Sequence, residues 1–234
     1  MAFAKTLLLA IAIGYVAVAA LLWIAQERLL FLTARTAAPP AAPPAWRLES
    51  VAFTARDGTR LAGLLLMPPR ERPPLVIYYG GNAEEVTARG AHVREEYGER
   101  AVLLVNYRGY GNSAGQPSEK SIVSDALELY DWAAARGDLD GRHIALHGRS
   151  LGSGVAVAVA AVRPATCVLL TTPFDSALEV AARMYPWLPI AWMLRHPPPP
   201  TPSICSRWAN HSPTTHWPRW PVRMRSWSSI ACCC

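Results

Sequence analysis

The feature of this sequence that most constrains its fold is a serine flanked by two glycines. A strand-like segment precedes this serine and a helix-like segment follows it. Residues 143–147 are short and largely apolar, as in strands buried on both faces of a parallel sheet. Gly148 and Gly152 flank Ser150, and residues 153–162 are almost wholly apolar. A serine hydroxyl is a poor nucleophile and must project from a sharp turn towards a base. We therefore predict that Ser150 is a nucleophile in an elbow for which Gly148 and Gly152 leave room.

This motif has two other interpretations. An ordinary glycine-rich turn can contain the same Gly-x-Ser-x-Gly residues. Here, however, a strand-like segment precedes the motif and a helix-like segment follows it, as a nucleophile elbow requires. A dinucleotide-binding loop does not fit, because the spacing of Gly148, Gly152 and Gly154 differs from its glycine pattern. No acidic residue follows a second strand at the distance that such a loop requires. The spacing therefore favours a nucleophile.

The rest of the body alternates strand-like and helix-like segments. Two alternating segments, residues 48–55 and 60–67, flank Asp57-Gly58, which is a strong hairpin signal. Short apolar runs predict buried strands at residues 75–79, 101–106, 143–147 and 166–171. Charged amphipathic stretches predict helices at residues 84–97 and 120–136, besides the apolar helix at 153–162. This order predicts a doubly wound α/β sheet, mostly parallel, whose first strands are antiparallel.

A second glycine-rich strand end lies at Tyr79-Gly80-Gly81-Asn82-Ala83-Glu84 and opens towards a helix. Backbone N–H groups exposed there, together with the N–H of Leu151, can form an oxyanion hole for a tetrahedral intermediate. We predict Asn82 as the donor from this loop. The alternative is a tight turn in which Asn82 caps the following helix.

The N-terminus carries an uncharged apolar run at residues 6–25, which as a helix spans about 30 Å, the hydrocarbon thickness of a bilayer. A cleaved signal peptide is the alternative, because residues 17–19 have the form of a cleavage site, but the run continues beyond them. A buried core helix would need protein on every side. We favour an uncleaved anchor over residues 1–28, in a bacterial inner membrane with the domain on the periplasmic side. Residues 29–46 are then a stiff, Pro/Ala-rich linker.

Four stretches give the chain a resemblance to a known family. It resembles the single-anchor α/β-hydrolases of the bud-emergence-suppressor-like group, which are similar to serine-peptidase-like hydrolases. The stretches are residues 79–86, 106–119, 147–154 and 172–189. The resemblance implies an α/β-hydrolase fold and hydrolysis of an acyl ester, thioester or amide through an acyl-serine at Ser150. It implies Leu151 and the Gly-Gly-Asn loop as oxyanion donors, and Tyr107 and Arg108 as residues that shape the pocket.

A complete hydrolase of this kind places an acid and then a histidine after later strands. Residues 197–234 contain neither Asp nor Glu, are rich in Pro, Trp and Cys, and show no periodicity typical of a strand or a helix. We expect a partial hydrolase domain at residues 47–196, incomplete at its C-terminus, and a disordered tail produced by a frameshift near residue 197. A genuine Pro-rich extension is the alternative. Asp175 is then the substitute acid, and a catalytically inactive product is the rival to the enzyme.

Charge and composition exclude other classes of function. The formal charge is +6, but the tail holds four Arg and no acidic residue, so the remainder carries only a small excess. This argues against nucleic-acid binding, and a basic Pro/Trp-rich binding module would rest on the tail alone. The cysteines show no spacing typical of a zinc site or a disulfide framework, and we expect neither metal nor cofactor. The expected partners are a small or lipid-like acyl substrate and the membrane.

Overall fold

The structure is a computed structural model, and it describes residues 2–33, 43–172 and 230–233. The chain divides into two compact units, and helix α1 (Ala2–Leu30) belongs to the first of them. Its segment Phe3–Ala25 has a mean hydropathy of 2.6, and none of this segment is buried against protein. The helix is therefore long and apolar enough to cross a membrane, a property that an N-terminal signal sequence shares.

The domain begins with a β-hairpin, as the sequence predicts. Strand β1 (Arg47–Thr54) pairs antiparallel with β2 (Arg60–Met67), and Thr54 faces Arg60 across the turn. Gly58 has a φ of +84°, a value that favours glycine, and the Asp57 carboxylate accepts a hydrogen bond from the Thr59 N–H at 2.9 Å. The turn residues thus hold the register of the hairpin.

Four parallel strands form the centre of the sheet. They are β3 (Pro74–Tyr79), β4 (Ala101–Val105), β5 (Asp140–Arg149) and β6 (Cys167–Thr171). Together with the hairpin and a short last strand, β7 (Ile230–Cys233), they give the order β1-β2-β4-β3-β5-β6-β7. The pairs β4–β3, β3–β5 and β5–β6 are parallel, whereas β2 lies antiparallel to β4. This confirms the predicted α/β sheet with antiparallel first strands.

The helices follow the strands in the predicted order. A 3₁₀ helix (Val86–His92) runs into α2 (Val93–Tyr97), so the region predicted as one helix has two parts. Helix α3 (Glu119–Ala134) begins at a capping box in which Ser118 and Ser121 hydrogen-bond each other's backbone N–H groups. Helix α4 (Leu151–Ala160) packs against β3, β5 and β6, which explains its apolar sequence. It therefore begins at the carboxyl end of β5, in the middle of the sheet.

The core lies on both faces of the central strands. Side chains such as Leu65, Leu103 and Leu146 are completely excluded from solvent. On one face, Trp46 packs in a cluster with residues of the sheet and of α2, so the packed domain includes the last residue of the predicted linker. Burial of apolar surface at roughly 25 cal/mol per Å² is the main stabilising contribution of such a core.

The tail departs from expectation at one place. Residues 197–234 were expected to contain no strand, but β7 (Ile230–Cys233) pairs antiparallel with β6. An open strand edge offers unpaired backbone groups, and this short segment pairs with them. Cys167 is disulfide-bonded, which the cysteine spacing did not predict. The other predictions for residues 173–229, including disorder and a frameshift, lie outside the described residues.

Candidate active site

The predicted elbow lies between β5 and α4, and its two glycines are sterically necessary. A β-carbon on Gly148 would lie 2.2 Å from the carbonyl oxygen of Gly152. A β-carbon on Gly152 would lie 1.9 Å from the carbonyl oxygen of Tyr79, at the end of β3. Ser150 between them has a φ of +49° and a ψ of −116°, a strained conformation for a residue with a side chain. Strain of this kind is typical of a nucleophile that must project from a sharp turn.

Hydrogen bonds hold the strained serine from two sides. The N–H of Ser150 donates to the carbonyl oxygen of Thr171 on β6 at 2.9 Å. The hydroxyl of Ser153 donates to the carbonyl oxygen of Ser150 at 2.5 Å. Leu151 is the first residue of α4, so its N–H has no partner within the helix. The helix N-terminus therefore presents a donor beside Ser150, as predicted for one half of an oxyanion hole.

The oxyanion loop, residues 80–83, lies directly beside the elbow. A β-carbon on Gly81 would lie 3.6 Å from Cβ of Ser150, so the structure brings the two predicted parts of the site together. The Asn82 side chain does not cap the following helix, because its Oδ1 accepts hydrogen bonds from the Tyr110 hydroxyl at 2.8 Å and the Ala83 N–H at 3.1 Å. Glu85 is the cap of that helix. The alternative interpretation of Asn82 as a helix cap is therefore wrong.

A neighbouring loop, residues 106–115, holds the oxyanion loop in place. The hydroxyl of Tyr107 donates to the carbonyl oxygen of Gly80 at 3.1 Å, and the hydroxyl of Tyr110 reaches Asn82. Both tyrosines are buried, and their rings meet edge to face at 5.7 Å. Tyr107 thus holds the backbone at Gly80, and its pocket-shaping role stays a prediction. The tyrosines fix the backbone of the loop that lies beside the nucleophile.

Arg108 has a different role from the pocket-shaping one expected of it. Its guanidinium donates to both carboxylate oxygens of Asp125 on α3, at 2.7 and 2.5 Å, and to Asp57 of the β1–β2 turn at 2.9 Å. Hydrogen bonds from Thr59 and Arg108 hold the pKa of Asp57 down at about 2. Arg108 therefore ties the loop to two other elements of the domain.

A buried histidine that the sequence did not single out lies under the elbow. Nδ1 of His147 hydrogen-bonds the Tyr97 hydroxyl at 2.6 Å, and Nε2 hydrogen-bonds Oγ1 of Thr171 at 2.8 Å. Burial, with the positive charges of Arg89 and Arg149, lowers the pKa of His147 to about 3. The imidazole is therefore neutral at physiological pH. It supports Thr171, whose carbonyl oxygen holds the backbone of Ser150.

The histidines of the described part have partners away from Ser150. His143 hydrogen-bonds Asp140 at 2.6 Å, His92 lies 3.9 Å from Glu95, and His147 points into the core. Asp175, the predicted substitute acid, lies outside the described residues. In the residues that the structure describes, no group of acidic, histidine or cysteine side chains is arranged to hold a metal ion.

The chain is similar to known proteins over much of its length, although no family model matches it. It is 35% identical over 175 residues to an uncharacterized protein of Mycobacterium tuberculosis, covering 74% of this chain and 62% of that protein. It is 32% identical to alpha/beta hydrolase domain-containing protein WAV2 of Arabidopsis thaliana, covering 74% of this chain and 59% of that protein. The chain thus spans about three fifths of the length of these relatives.

Solved structures share the architecture described above. The α/β hydrolase GrgF from Penicillium superposes with a TM-score of 0.52 at 23% identity, covering 72% of this chain and 57% of that one. An acetyl xylan esterase from Paenibacillus superposes with a TM-score of 0.51 at 19% identity, covering 73% of this chain and 64% of that one. The chain has the α/β-hydrolase fold. The elbow after β5 therefore stands where an α/β-hydrolase carries its nucleophile.

Several residues of this candidate site escaped prediction. Glu84 contacts both the oxyanion loop and the elbow, and His147 and Thr171 brace the elbow from below. Tyr110 fixes Asn82. Glu84, His147 and Tyr110 lie in or beside the glycine-rich motifs of the sequence, whereas Thr171 ends the apolar strand β6. Motif position was a signal for the first three, but the roles of all four depend on contacts between segments that are far apart in the chain.

Proposed function

We propose that the chain is a membrane-anchored serine hydrolase that cleaves acyl esters, thioesters or amides through an acyl-Ser150 intermediate. The observation that carries the proposal is the backbone of Ser150, held at a φ of +49° between two glycines at the N-terminus of α4. Such strain costs about 1–3 kcal/mol, and it is found where function requires it. Ser150 is half-buried, so part of it is exposed.

The proposed reaction has two steps. Oγ of Ser150 attacks the acyl carbonyl carbon, its proton passes to a base, and the carbonyl oxygen becomes an oxyanion. The N–H groups of Leu151 and Asn82 stabilise this charge, and the leaving group departs with a proton. Water then attacks the acyl-serine, which releases the acid and restores the hydroxyl. In the described part of the chain, His92, His143 and His147 have other partners, so none of them is assigned as the base.

A fluorophosphonate probe tests this proposal. The probe phosphonylates a serine only when the surrounding site activates it. We expect the full chain, purified in detergent, to be labelled and Ser150→Ala to lose all labelling. Ser124→Ala is the matched control, because Ser124 is exposed on α3, and it should be labelled like the unmodified chain. Labelling that persists in Ser150→Ala would exclude Ser150 as the nucleophile.

A second candidate function is an inactive protein with the same fold. It is favoured by the contacts of the three described histidines, none of which accepts a proton from Ser150. The expectation that residues 197–234 arise from a frameshift agrees with it. A folded chain that shows a cooperative thermal transition but no labelling would support this candidate. Resequencing the DNA around codon 197 tests the frameshift: the other frame should encode a strand that carries Asp and a late His.

The anchor is the third part of the proposal. We place α1 in a bacterial inner membrane with the domain on the periplasmic side, supported by the exposed apolar surface of this helix. A cleaved signal sequence has the same appearance in the structure. N-terminal sequencing of the mature chain separates them, because an anchor keeps residues 1–28 and a signal peptide loses them. An alkaline phosphatase fusion after residue 234 should be active if the domain is periplasmic.

A further inference from the structure

An oxyanion hole built from two elements needs its two donors at a fixed separation. The N–H of Leu151 belongs to α4, whereas the N–H of Asn82 belongs to the loop after β3. Both must lie roughly 2.7–3.1 Å from one developing oxygen atom. A shift of about 1 Å between the two elements can cost about a hundredfold in rate. A contact that joins the loop to the elbow would therefore affect catalysis without touching the substrate.

Glu84 makes such a contact. Its Oε2 accepts a hydrogen bond from the Gly81 N–H at 2.7 Å and lies 3.2 Å from the Arg149 guanidinium. Its Oε1 accepts a hydrogen bond from the Tyr78 hydroxyl at 2.8 Å. Gly81 belongs to the oxyanion loop, Arg149 immediately precedes Ser150, and Tyr78 belongs to β3. One carboxylate thus reaches the loop, the elbow and the strand between them.

The same contact removes one N–H group from the oxyanion hole. Since the Gly81 N–H already donates to Glu84, it is not a donor to the oxyanion, which agrees with the prediction of Asn82 as the donor from this loop. The Glu84 side chain is only 12% exposed, so its hydrogen bonds are well shielded from water. Arg149 is 46% exposed, and an ion pair with an exposed partner contributes little to stability.

We propose that Glu84 is a positioning residue whose carboxylate, paired with Arg149, sets the separation between the oxyanion loop and the nucleophile elbow. The proposal rests on the proposed function of Ser150. It makes the pair with the half-exposed Arg149 important for rate and nearly irrelevant for stability. That combination distinguishes the pair from an ordinary structural contact, whose loss lowers both. Glu84 itself also lies 3.7 Å from Arg89 and accepts the hydrogen bond of the buried Tyr78, and loss of these contacts lowers stability.

The first test measures phosphonylation of Ser150 at rising fluorophosphonate concentrations, on the full chain in detergent. Glu84→Gln and Arg149→Gln should each lower the limiting rate by about tenfold to a hundredfold, with the half-saturating probe concentration unchanged. Arg149→Lys keeps the charge and should recover most of the rate. The double variant should lose no more than the larger single loss, because both changes break one contact. Glu95→Gln is the matched control, since the Glu95 side chain is 83% exposed.

The second test does not depend on activity. Hydrogen exchange of the Gly81 amide, read at residue resolution, should become at least about tenfold faster in Glu84→Ala and stay unchanged in Glu95→Gln. If the unmodified chain is not labelled, the proposed function fails, and this exchange alone decides whether Glu84 holds the loop. Unchanged exchange overturns the proposal. So does a full limiting rate in both Glu84→Gln and Arg149→Gln, or, in Arg149→Gln, a rate loss matched by an equal loss of thermal stability.

Discussion

At the scale of single residues, Gly152 is the glycine at which an added side chain would make the shortest contact. Its missing β-carbon would lie 1.9 Å from the carbonyl oxygen of Tyr79, and backbone cannot move aside as a flexible side chain can. We expect Gly152→Ala to lower the free energy of unfolding by about 3 kcal/mol or more. Gly154→Ala is the matched control, because nothing lies within 4 Å of its missing β-carbon. It should be neutral or stabilising by up to about 1 kcal/mol, since alanine favours a helix. Thermal unfolding of both variants measures the difference, and equal midpoints would contradict the close contact.

His147 makes the stability of the folded chain depend on pH. Its pKa is lowered to about 3 in the folded chain, chiefly by burial, against about 6.5 when unfolded. Between these values the unfolded chain binds a proton that the folded chain does not. The stability that the neutral histidine contributes is therefore present above about pH 6.5 and is lost as the pH falls towards about 3. The slope approaches about 1.4 kcal/mol per pH unit inside that window.

Urea unfolding between about pH 7 and pH 4.5 checks this dependence, because most carboxylates stay ionised there. His147→Gln should reduce the slope of stability against pH. A slope that survives His147→Gln would show that another group causes it.

At the scale of elements, the contact between loop 106–115 and α3 depends on one buried ion pair. The side chains of Arg108 and Asp125 are 10% and 5% exposed, whereas Arg163 and Asp131 form a similar pair at 33% and 43% exposure. Both aspartates lie on α3. Asp125→Asn should cost about 3 kcal/mol, because it removes the buried carboxylate and leaves the buried guanidinium with the half-exposed Asp57 as its charge partner. Asp131→Asn should cost at most about 1 kcal/mol. Comparable losses in urea unfolding would contradict the difference in burial.

The elements that could be predicted are those whose signal is local. The strands β3 to β6 are short apolar runs, and the hairpin carries its Asp57-Gly58 turn, so periodicity was sufficient. The start of the 3₁₀ helix at Val86 could not be predicted, because Glu85 sets it through contacts with its own backbone neighbours and with Asn106. Strand β7 could not be predicted either, because it depends on a free edge of β6 rather than on its own periodicity.

The candidate site divides in the same way. The sequence predicted the elbow, formed by Gly148, Ser150 and Gly152, because a sharp turn requires particular residue types at neighbouring positions. The partners Glu84 and Arg149 were not predicted, because their meeting depends on β3 lying beside β5 in one particular register. His147 was hidden for a related reason. Its two hydrogen-bond partners come from α2 and β6, and no spacing in the chain indicates them.

At the scale of the whole molecule, the N-terminal helix should determine where the chain resides. Its segment Phe3–Ala25 has no part buried against protein, so water is an unfavourable surrounding for it. We expect deletion of residues 1–28 to move the chain from the membrane fraction to the soluble fraction. Replacing residues 31–42, between α1 and the domain, by a Gly/Ser linker of equal length is the control, and this variant should stay with the membrane. Ultracentrifugation after alkaline extraction measures both, and a deletion variant that remains in the pellet would contradict an anchoring role.

The hydrogen bond from the Ser150 N–H to the Thr171 carbonyl oxygen has a mechanical consequence. Thr171 is the last residue of β6, next to the part of the sheet that β7 pairs with. One hydrogen bond therefore links the backbone of the proposed nucleophile to the edge of the sheet. If the pairing of β6 with β7 opens, we expect this hydrogen bond to break first, so that Ser150 can adopt an unstrained backbone conformation while the core stays packed. Loss of the outer strands would thus reach the reacting hydroxyl before it reached the stability of the domain.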